Sequence, residues 1–174
     1  MDQITSAPKT VDSFRFISGI TKRMIKNWIN MEKPRSIPWT PLRKPLSQST
    51  VALLSSAGIA MKSDIPFDQE GERQNPWWGD PSYRILPKTA SEKDIRVYHM
   101  HIDPSYPEQD INCLFPLQRL QELEDNGRIG RASPRHYSIM GYILNPDQLL
   151  SETVPALIRD LEKDLADVVV LVPA

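Results

Sequence analysis

The sequence predicts an α/β protein with an open three-layer sheet that is mostly parallel. Segments of strand type at 51–54, 94–102 and 167–172 alternate with helical stripes. The last run, DVVVLV, has the unbroken apolar character of a fully buried parallel strand. The length of 174 residues suits one core. We therefore predict an N-terminal helix and tail at 1–36 and a single α/β domain at 37–174, which includes an arm at 37–50.

The N-terminal helix is predicted over residues 11–31. Apolar residues recur there at helical spacing, at Phe14, Ile17, Met24, Ile25 and Trp28. Such a stripe indicates a helix that packs on its own domain or on a partner subunit. A basic helix lying on a membrane surface is the alternative.

An extended proline-rich arm follows this helix. The segment PRSIPWTPLRKP has four prolines in its twelve residues, from Pro34 to Pro45, and these exclude a continuous helix or a central strand. We expect Trp39 to anchor the arm. Residues 62–90 show neither helical nor alternating periodicity and contain several aromatic residues. They predict a long functional or interface-forming loop.

Two helices are predicted in the second half of the chain. The first spans 116–126, with Pro116 in its first turn and Asn126-Gly127 as a left-handed cap. The second begins at Asn145-Pro146, and Pro155 should kink or split it. Its predicted buried side consists of Leu149, Leu150, Val154, Leu157, Ile158, Leu161 and Leu165.

Composition excludes several classes of protein. The formal net charge of −1 gives no reason to expect nucleic acid or an anionic membrane as a partner. No apolar run reaches about 18 residues, the length of a membrane span, and the N-terminus has no signal-peptide pattern. A cytoplasmic protein is expected. The sequence contains no glycine-rich nucleotide fingerprint.

The three histidines are the strongest candidates for chemistry. His99 and His101 would share one face of the strand predicted at 94–102. With His136, which we expect in a loop, and with Asp103 or Asp110, they could hold a divalent metal such as zinc or iron. They could equally perform acid–base chemistry near neutral pH. The alternative is a hydrogen-bonded structural role for each histidine.

Other polar residues are weaker candidates. The turn beginning at Ser55 and Ser56 follows a strand, where open α/β sheets bind ligands, although small residues also suit any tight turn. Arg84 and Arg135 could bind a carboxylate, but a structural ion pair is the commoner role of a single arginine. Cys113 precedes a helix and is flanked by apolar residues, so we expect a buried, unreactive thiol.

Five segments together resemble the B-component family of glycine, sarcosine, betaine and D-proline reductases. They occur in register over most of the chain: IPWTPLRKPLSQSTVALLSSAG (37–58), IPFD (65–68), WGDPSYRILP (78–87), INCLFPLQRLQELEDNGRIG (111–130) and PRHYSIMGYI (134–143). The resemblance implies a cytoplasmic α/β protein. It also implies reductive cleavage of a C–N bond in a small amine or amino acid.

The resemblance further implies a selenocysteine or cysteine nucleophile just after a buried strand. At the corresponding strand, 167–172, the sequence continues with Pro173-Ala174, so the nucleophile is not carried over. The matching positions, which the resemblance places around a substrate pocket, are His99, Asp110, Asn112, Arg119, Arg135, His136 and Tyr137.

Three functional hypotheses follow from the residues and the resemblance. The first is a reductase-family subunit without its own thiol or selenol nucleophile. It would bind a small amino compound, or assemble with another reductase-like subunit that supplies the redox group. The second is an enzyme that uses His99, His101 and His136, with Tyr137 as a further catalytic candidate and Ser55, Ser56, Arg84, Asp110 and Arg135 as binding candidates. The third is a ligand-binding or scaffold module without chemistry.

Overall fold

The computed structural model describes residues 18–31, 36, 40–75 and 78–174. Trp39, the predicted anchor of the arm, lies outside these residues, as does the predicted helix before residue 18. The chain divides into two compact units, residues 1–40 and 41–174. In the first unit, helix α1 spans Gly19–Met31. It begins where the Ser18 hydroxyl accepts a hydrogen bond from the Thr21 backbone N–H, a typical N-cap.

The second unit is mixed α/β with a curled, mostly parallel sheet. Its strands are β1 (Thr50–Ser55), β2 (Ile59–Met61), β3 (Tyr83–Pro87), β4 (Ile95–Val97), β5 (Arg131–Ala132), β6 (Arg135–Ile139) and β7 (Val168–Val172). Its helices are α2 (Gln69–Gln74), α3 (Ser105–Gln109), α4 (Leu117–Asp125) and α5 (Val154–Lys163). Short 3-10 turns occur at Leu46–Gln48 and Ile111–Cys113, and a π-helical turn at Leu149–Thr153 leads into α5.

Strand β1 lies at the centre of the sheet. It pairs in parallel with β7 along one edge, and with β5 and then β6 along the other. Strand β3 extends the sheet by pairing antiparallel with β6. β2 and β4 form a separate antiparallel pair. The residues of β1 are mostly buried because strands flank it on both edges, as predicted for the apolar run at 51–54.

The sheet is covered on both faces next to β6. His136 and Tyr137 are adjacent in this strand and therefore point to opposite faces. The His136 ring contacts Phe115, which precedes α4, whereas the Tyr137 hydroxyl binds Asp164 just after α5. The main apolar core lies on the His136 face and includes Leu53, Leu86, Ile111, Phe115 and Leu120.

Helix α4 follows its sequence prediction closely. It begins after Pro116 and ends before Asn126, and Gly127 adopts the left-handed conformation with φ 65°. Leu117 and Leu120 are its buried residues. The π-helical turn ends two residues before Pro155, which is consistent with the predicted distortion of this helix because proline lacks a backbone N–H.

The buried side of α5 differs from the prediction. Leu150, Ile158 and Leu165 are exposed. Leu157 is buried as predicted, but the side that faces the sheet continues through polar residues at helical spacing, namely Thr153, Asp160 and Asp164. The physical reason is that the sheet presents hydroxyl and guanidinium groups on this face, and these groups require polar partners.

Two stretches predicted as loops contain regular structure. Residues 62–90, predicted to be irregular, contain α2 and β3. His136, predicted in a loop, lies in β6. In β6, the alternation of apolar and polar residues could not be recognised from the sequence. Polar residues such as Arg135 and Ser138 occupy positions that pack against polar groups instead of facing solvent.

Strand β7 pairs in parallel as predicted, but it is not fully buried. Val170 is 41% exposed and Leu171 is 69% exposed. Only β1 pairs with this strand among the described residues. An open groove of about 460 Å³ runs beside it, lined by Leu54, Ser56, Ile139, Leu171, Val172 and Pro173.

Candidate functional site

A turn of small residues joins the carboxyl ends of three parallel strands. In this turn, which spans residues 55–58 after β1, the Ser56 N–H donates to the Val172 carbonyl at the end of β7 (3.1 Å). The Gly58 N–H donates to the Ile139 carbonyl at the end of β6 (2.9 Å). The Gly58 carbonyl accepts from the Tyr98 N–H (2.8 Å), which brings the histidine segment to the same edge. We call this region the carboxyl-edge site.

His99 and His101 lie at the carboxyl-edge site as a pair. They are not on a strand, because β4 ends at Val97, and the prediction of a shared strand face is wrong. The His101 backbone N–H donates to His99 Nδ1 at 3.2 Å, and the ring centroids lie 5.7 Å apart. Burial, and secondarily the charge of His101, lowers the pKa of His99. His99 therefore favours the neutral form with its proton on Nε2.

Gly141 and Tyr142 complete the site, although no periodic pattern in the sequence marks either residue. A Cβ atom on Gly141 would lie 2.6 Å from His99 Nε2 and 2.9 Å from the Ser56 carbonyl oxygen, so only glycine allows this close approach. Tyr142 has φ 61°, an unfavourable value for a bulky side chain. Its ring centroid lies 5.2 Å from that of His101. Such strain often marks functional positions.

His136 belongs to the core and not to this site. Its Nδ1 accepts the Leu53 backbone N–H at 3.0 Å, which fills a gap in the pairing of β1 with β5 and β6. Nε2 has no hydrogen-bond partner among the described residues. Burial, reinforced by the charge of Lys88, lowers the pKa of His136 to about 4. The imidazole is therefore neutral at physiological pH.

The predicted three-histidine metal site is not formed. In the part of the chain that the structure describes, no group of three or more His, Cys, Asp or Glu side chains is placed to hold a metal ion. The three rings do not meet because they lie in different parts of the fold. His136 accepts a backbone hydrogen bond inside the sheet, whereas His99 and His101 lie at the carboxyl edge.

Arg135 and Tyr137 form a structural network with the end of α5. Arg135 donates to both carboxylate oxygens of Asp164, at 2.9 Å from Nε to Oδ2 and from Nη2 to Oδ1. The Tyr137 hydroxyl donates to Asp164 Oδ2 at 3.0 Å. Burial, followed by this hydrogen bond, raises the pKa of the fully buried Tyr137. Neither residue reaches the carboxyl-edge site in this arrangement.

Arg84 and Ser55 also have structural partners. Arg84 donates to the carbonyl oxygens of Ile65 and Pro66, at 2.8 and 3.0 Å, and its guanidinium stacks on the Phe67 ring. It thereby fixes the loop before α2 against β3. The buried Ser55 hydroxyl donates to the Leu114 carbonyl at 2.9 Å. Both contacts favour structural roles over substrate binding.

Asp110 and Cys113 lie near α4. Asp110 is exposed and accepts from the Asn112 backbone N–H (2.9 Å) and side-chain amide (2.7 Å); these hydrogen bonds lower the pKa of its carboxyl group. Cys113 is exposed, so its predicted burial is wrong. Partial desolvation, followed by the charge of Asp110, raises the pKa of its thiol, which disfavours the reactive thiolate.

The fold is that of an α/β protein whose candidate site lies at the carboxyl ends of parallel strands, the edge at which open α/β sheets bind ligands. The sequence profile of glycine/sarcosine/betaine reductase selenoprotein B matches residues 6–173. The chain therefore belongs to this reductase family.

Two relatives are at least 30% identical to the chain. The D-proline reductase subunit gamma of Acetoanaerobium sticklandii is 35% identical over 133 residues, which cover 76% of this chain and 52% of that protein. The glycine reductase complex component B subunit gamma of Carboxydothermus hydrogenoformans is 30% identical over 105 residues, covering 60% of this chain and 23% of that protein.

A third relative is the betaine reductase complex component B subunit beta of Peptoclostridium acidaminophilum. It is 28% identical over 102 residues, which cover 56% of this chain and 22% of that protein. The chain thus spans about half of the D-proline reductase subunit and about a quarter of the other two relatives. No solved structure is a significant match to the chain. Within the described residues, every helix is too short or too polar to cross a bilayer.

Proposed function

We propose that this chain is a subunit of a cytoplasmic reductase of its family and that its carboxyl-edge site binds a small amino compound. The observation that carries the proposal is the placement of the histidine pair beside Ser56, where the ends of β1, β6 and β7 meet. In open α/β sheets, ligands bind at this end of the strands. The relatives, which are named for glycine, betaine and D-proline, suggest the ligand class.

The binding proposal predicts that glycine, betaine or D-proline perturbs a defined set of NMR signals. We expect shifts in the backbone amides of Ser56, His99 and Gly141 when one of these compounds is titrated into the 15N-labelled chain. Gly141→Ala should weaken binding at least about tenfold, because the added methyl group occupies the space between His99 and Ser56.

The matched control is Gly127→Ala in the turn after α4, where an added Cβ meets open space and the cost is backbone strain at φ 65°, outside the carboxyl-edge site. This variant should bind as tightly as the original chain. Equal binding by the Gly127 and Gly141 variants, both with folded spectra, would contradict a ligand site at this edge. So would the absence of binding by all three compounds.

We further propose that a second, reductase-like subunit covers strand β7 and supplies the redox group. Support comes from the exposed apolar edge formed by Val170 and Leu171 and from the groove beside it. An unprotected apolar edge strand is a typical site of pairing with another chain. Two relatives are named as components of reductase complexes.

The assembly proposal predicts that the protein purified natively from its own cells has a mass well above 19.9 kDa and contains a second polypeptide at fixed stoichiometry. Leu171→Lys should remove that polypeptide, since it places a charge on the edge. Ile158→Lys, on the exposed side of α5, should retain it. A strictly monomeric protein in native mass spectrometry is the result that contradicts this proposal.

An enzyme that uses the histidine pair without a redox partner is the second candidate. The observation that favours it is the contact between the His99 and His101 rings at a ligand-binding edge of the sheet. Turnover of a small amine by the isolated chain, lost in His101→Ala, would distinguish this candidate from the subunit role.

A further inference from the structure

Hydrogen bonds on both sides of His99 fix its backbone and one of its ring nitrogens. The residue before it, Tyr98, donates its backbone N–H to the Gly58 carbonyl at 2.8 Å and accepts the Gln69 side-chain amide, from helix α2, at 2.6 Å. Two residues after His99, the His101 backbone N–H donates to His99 Nδ1 at 3.2 Å. Because Nδ1 is an acceptor, the neutral imidazole carries its proton on Nε2.

The Nε2–H group of His99 is a hydrogen-bond donor that solvent can reach. Among the described residues, the His99 side chain has a single hydrogen bond, the one from His101 to Nδ1. The side chain is partly exposed. The buried polar atoms without a partner in the described chain are Glu72 Oε2, Ser133 Oγ and His136 Nε2, and His99 Nε2 does not belong to this group. A ligand can therefore approach this N–H directly.

His136 provides a comparison within the same molecule. In both histidines, Nδ1 accepts a backbone N–H, which leaves the proton on Nε2. His136 is fully buried, so its Nε2–H is closed to any ligand. His99 has the same arrangement at the carboxyl edge of the sheet, where its Nε2–H is open. The two imidazoles therefore differ in accessibility, which separates a structural group from a binding group.

The space next to His99 Nε2 exists because residue 141 is glycine. A Cβ atom on Gly141 would lie 2.6 Å from Nε2 and 2.9 Å from the Ser56 carbonyl oxygen. Any side chain at this position would therefore occupy the approach to the Nε2–H group. With glycine, the imidazole donor stands beside a small open volume where the strands β1, β6 and β7 end.

We propose that the fold holds His99 as the Nε2–H tautomer and that this N–H group binds the carboxylate of a small amino compound at the carboxyl-edge site. A carboxylate is the complementary group, because an N–H donor forms its stronger hydrogen bonds with ionised acceptors. The inference rests on the binding function proposed above for the presence of a ligand. It adds the protein atom that makes the contact and the ligand group that receives it.

The first arm of the test determines the tautomer without any ligand. Long-range 1H–15N correlation spectra of the imidazole rings are recorded at about pH 8, where a histidine whose pKa is lowered by burial is neutral. His99 should show a protonated Nε2 and an unprotonated Nδ1. A protonated Nδ1, or a mixture of the two tautomers, overturns the inference whether or not a ligand binds.

The second arm compares two substitutions that each keep one half of the imidazole. In His99→Asn, the side-chain amide reaches the position of Nδ1, so the acceptor for the His101 N–H remains and the outward donor is lost. In His99→Gln, the amide reaches the position of Nε2, so the donor remains and the inner acceptor is lost. Affinities for D-proline, glycine and betaine are measured by calorimetry. His99→Asn should bind at least about tenfold more weakly than the original chain, and His99→Gln within about threefold of it.

A purely structural role of His99 predicts the opposite order. The asparagine variant would then bind like the original chain, because it keeps the hydrogen bond to His101, and the glutamine variant would bind more weakly. That order, or equal affinities of the two variants, overturns the inference. Both variants must give folded spectra for the comparison.

The third arm tests the ligand group with compounds that lack the carboxylate. Pyrrolidine replaces D-proline, methylamine replaces glycine and the tetramethylammonium ion replaces betaine. Each should bind the original chain at least about tenfold more weakly than its parent compound, down to no measurable binding. Equal binding of a parent compound and its counterpart without the carboxylate contradicts the contact between this group and His99.

These outcomes separate the inference from the binding function on which it rests. If a parent compound binds but the two variants follow the structural order, the His99 contact is wrong and the binding function stands. If none of the three parent compounds binds to the original chain, the binding function fails and the carboxylate contact fails with it.

Discussion

Replacing Asp164 with alanine is expected to destabilise the protein by about 3 kcal/mol, because it removes the partner of two groups at once. Asp164 accepts three hydrogen bonds from Arg135 and one from the Tyr137 hydroxyl. Tyr137 is fully buried, so its hydroxyl would lose a partner that water cannot readily replace. Arg135 is only partly buried, and its rehydration limits the loss.

Urea denaturation at neutral pH provides the measurement, with an expected fall in melting temperature of roughly 10 °C as a second readout. Asp164→Asn, which keeps the shape but not the charge, should be less damaging. Glu162→Ala, at an exposed position in the last turn of α5, should change stability by less than about 0.5 kcal/mol. A loss below about 1 kcal/mol in Asp164→Ala would mean that the network does not stabilise the fold.

Stability is also expected to fall on mild acidification because of His136. The folded protein holds the pKa of this imidazole at about 4, against 6.5 in an unfolded chain. Below pH 6.5 the unfolded state binds a proton that the folded state excludes until about pH 4. The free energy of unfolding should therefore decrease through this window, by up to about 3 kcal/mol from His136 alone.

His136→Asn tests this expectation because the asparagine oxygen can still accept the Leu53 N–H but cannot titrate in this range. The variant should be less stable at neutral pH, by about 2 kcal/mol for lost packing, yet show a flatter decline toward pH 4. A smaller slope should remain because the pKa of His99 is also lowered by burial.

Phe115→Leu is the matched control, since Phe115 contacts the His136 ring. This variant should lose stability by a similar amount at every pH and keep the slope of the original chain. Equal slopes in His136→Asn and the original chain would show that the imidazole is not held neutral by the fold. Urea midpoints measured between pH 4 and pH 7 provide the data.

Local patterns were sufficient to predict several elements of the fold. The apolar run of β1 and the proline-to-glycine boundaries of α4 depend on residues close together in sequence, so they could be predicted without tertiary information. The family could also be predicted, because five segments in register are a property of the sequence alone.

The composition of the candidate site could not be predicted in the same way. Glu72 and Tyr142 lie far from the histidines in sequence, and the residues around each form no recognisable motif. Only the fold buries the Glu72 side chain and places Tyr142 against His101. For the same reason, the sequence could not show that three of the predicted site residues have structural roles instead, because their partners in the sheet and after α5 were unknown. These residues are Arg135, His136 and Tyr137.

The sequence by itself determined the α/β class and the family. It also determined those helices and strands that are recognisable from the pattern of residues within the element itself. The tertiary structure decided which polar groups have hydrogen-bond partners. His136 accepts the Leu53 N–H and Arg135 donates to Asp164, whereas Glu72 Oε2 has no hydrogen-bond donor among the described residues. The physical reason is that burial and hydrogen bonding between distant segments depend on how the chain packs, which no local pattern encodes.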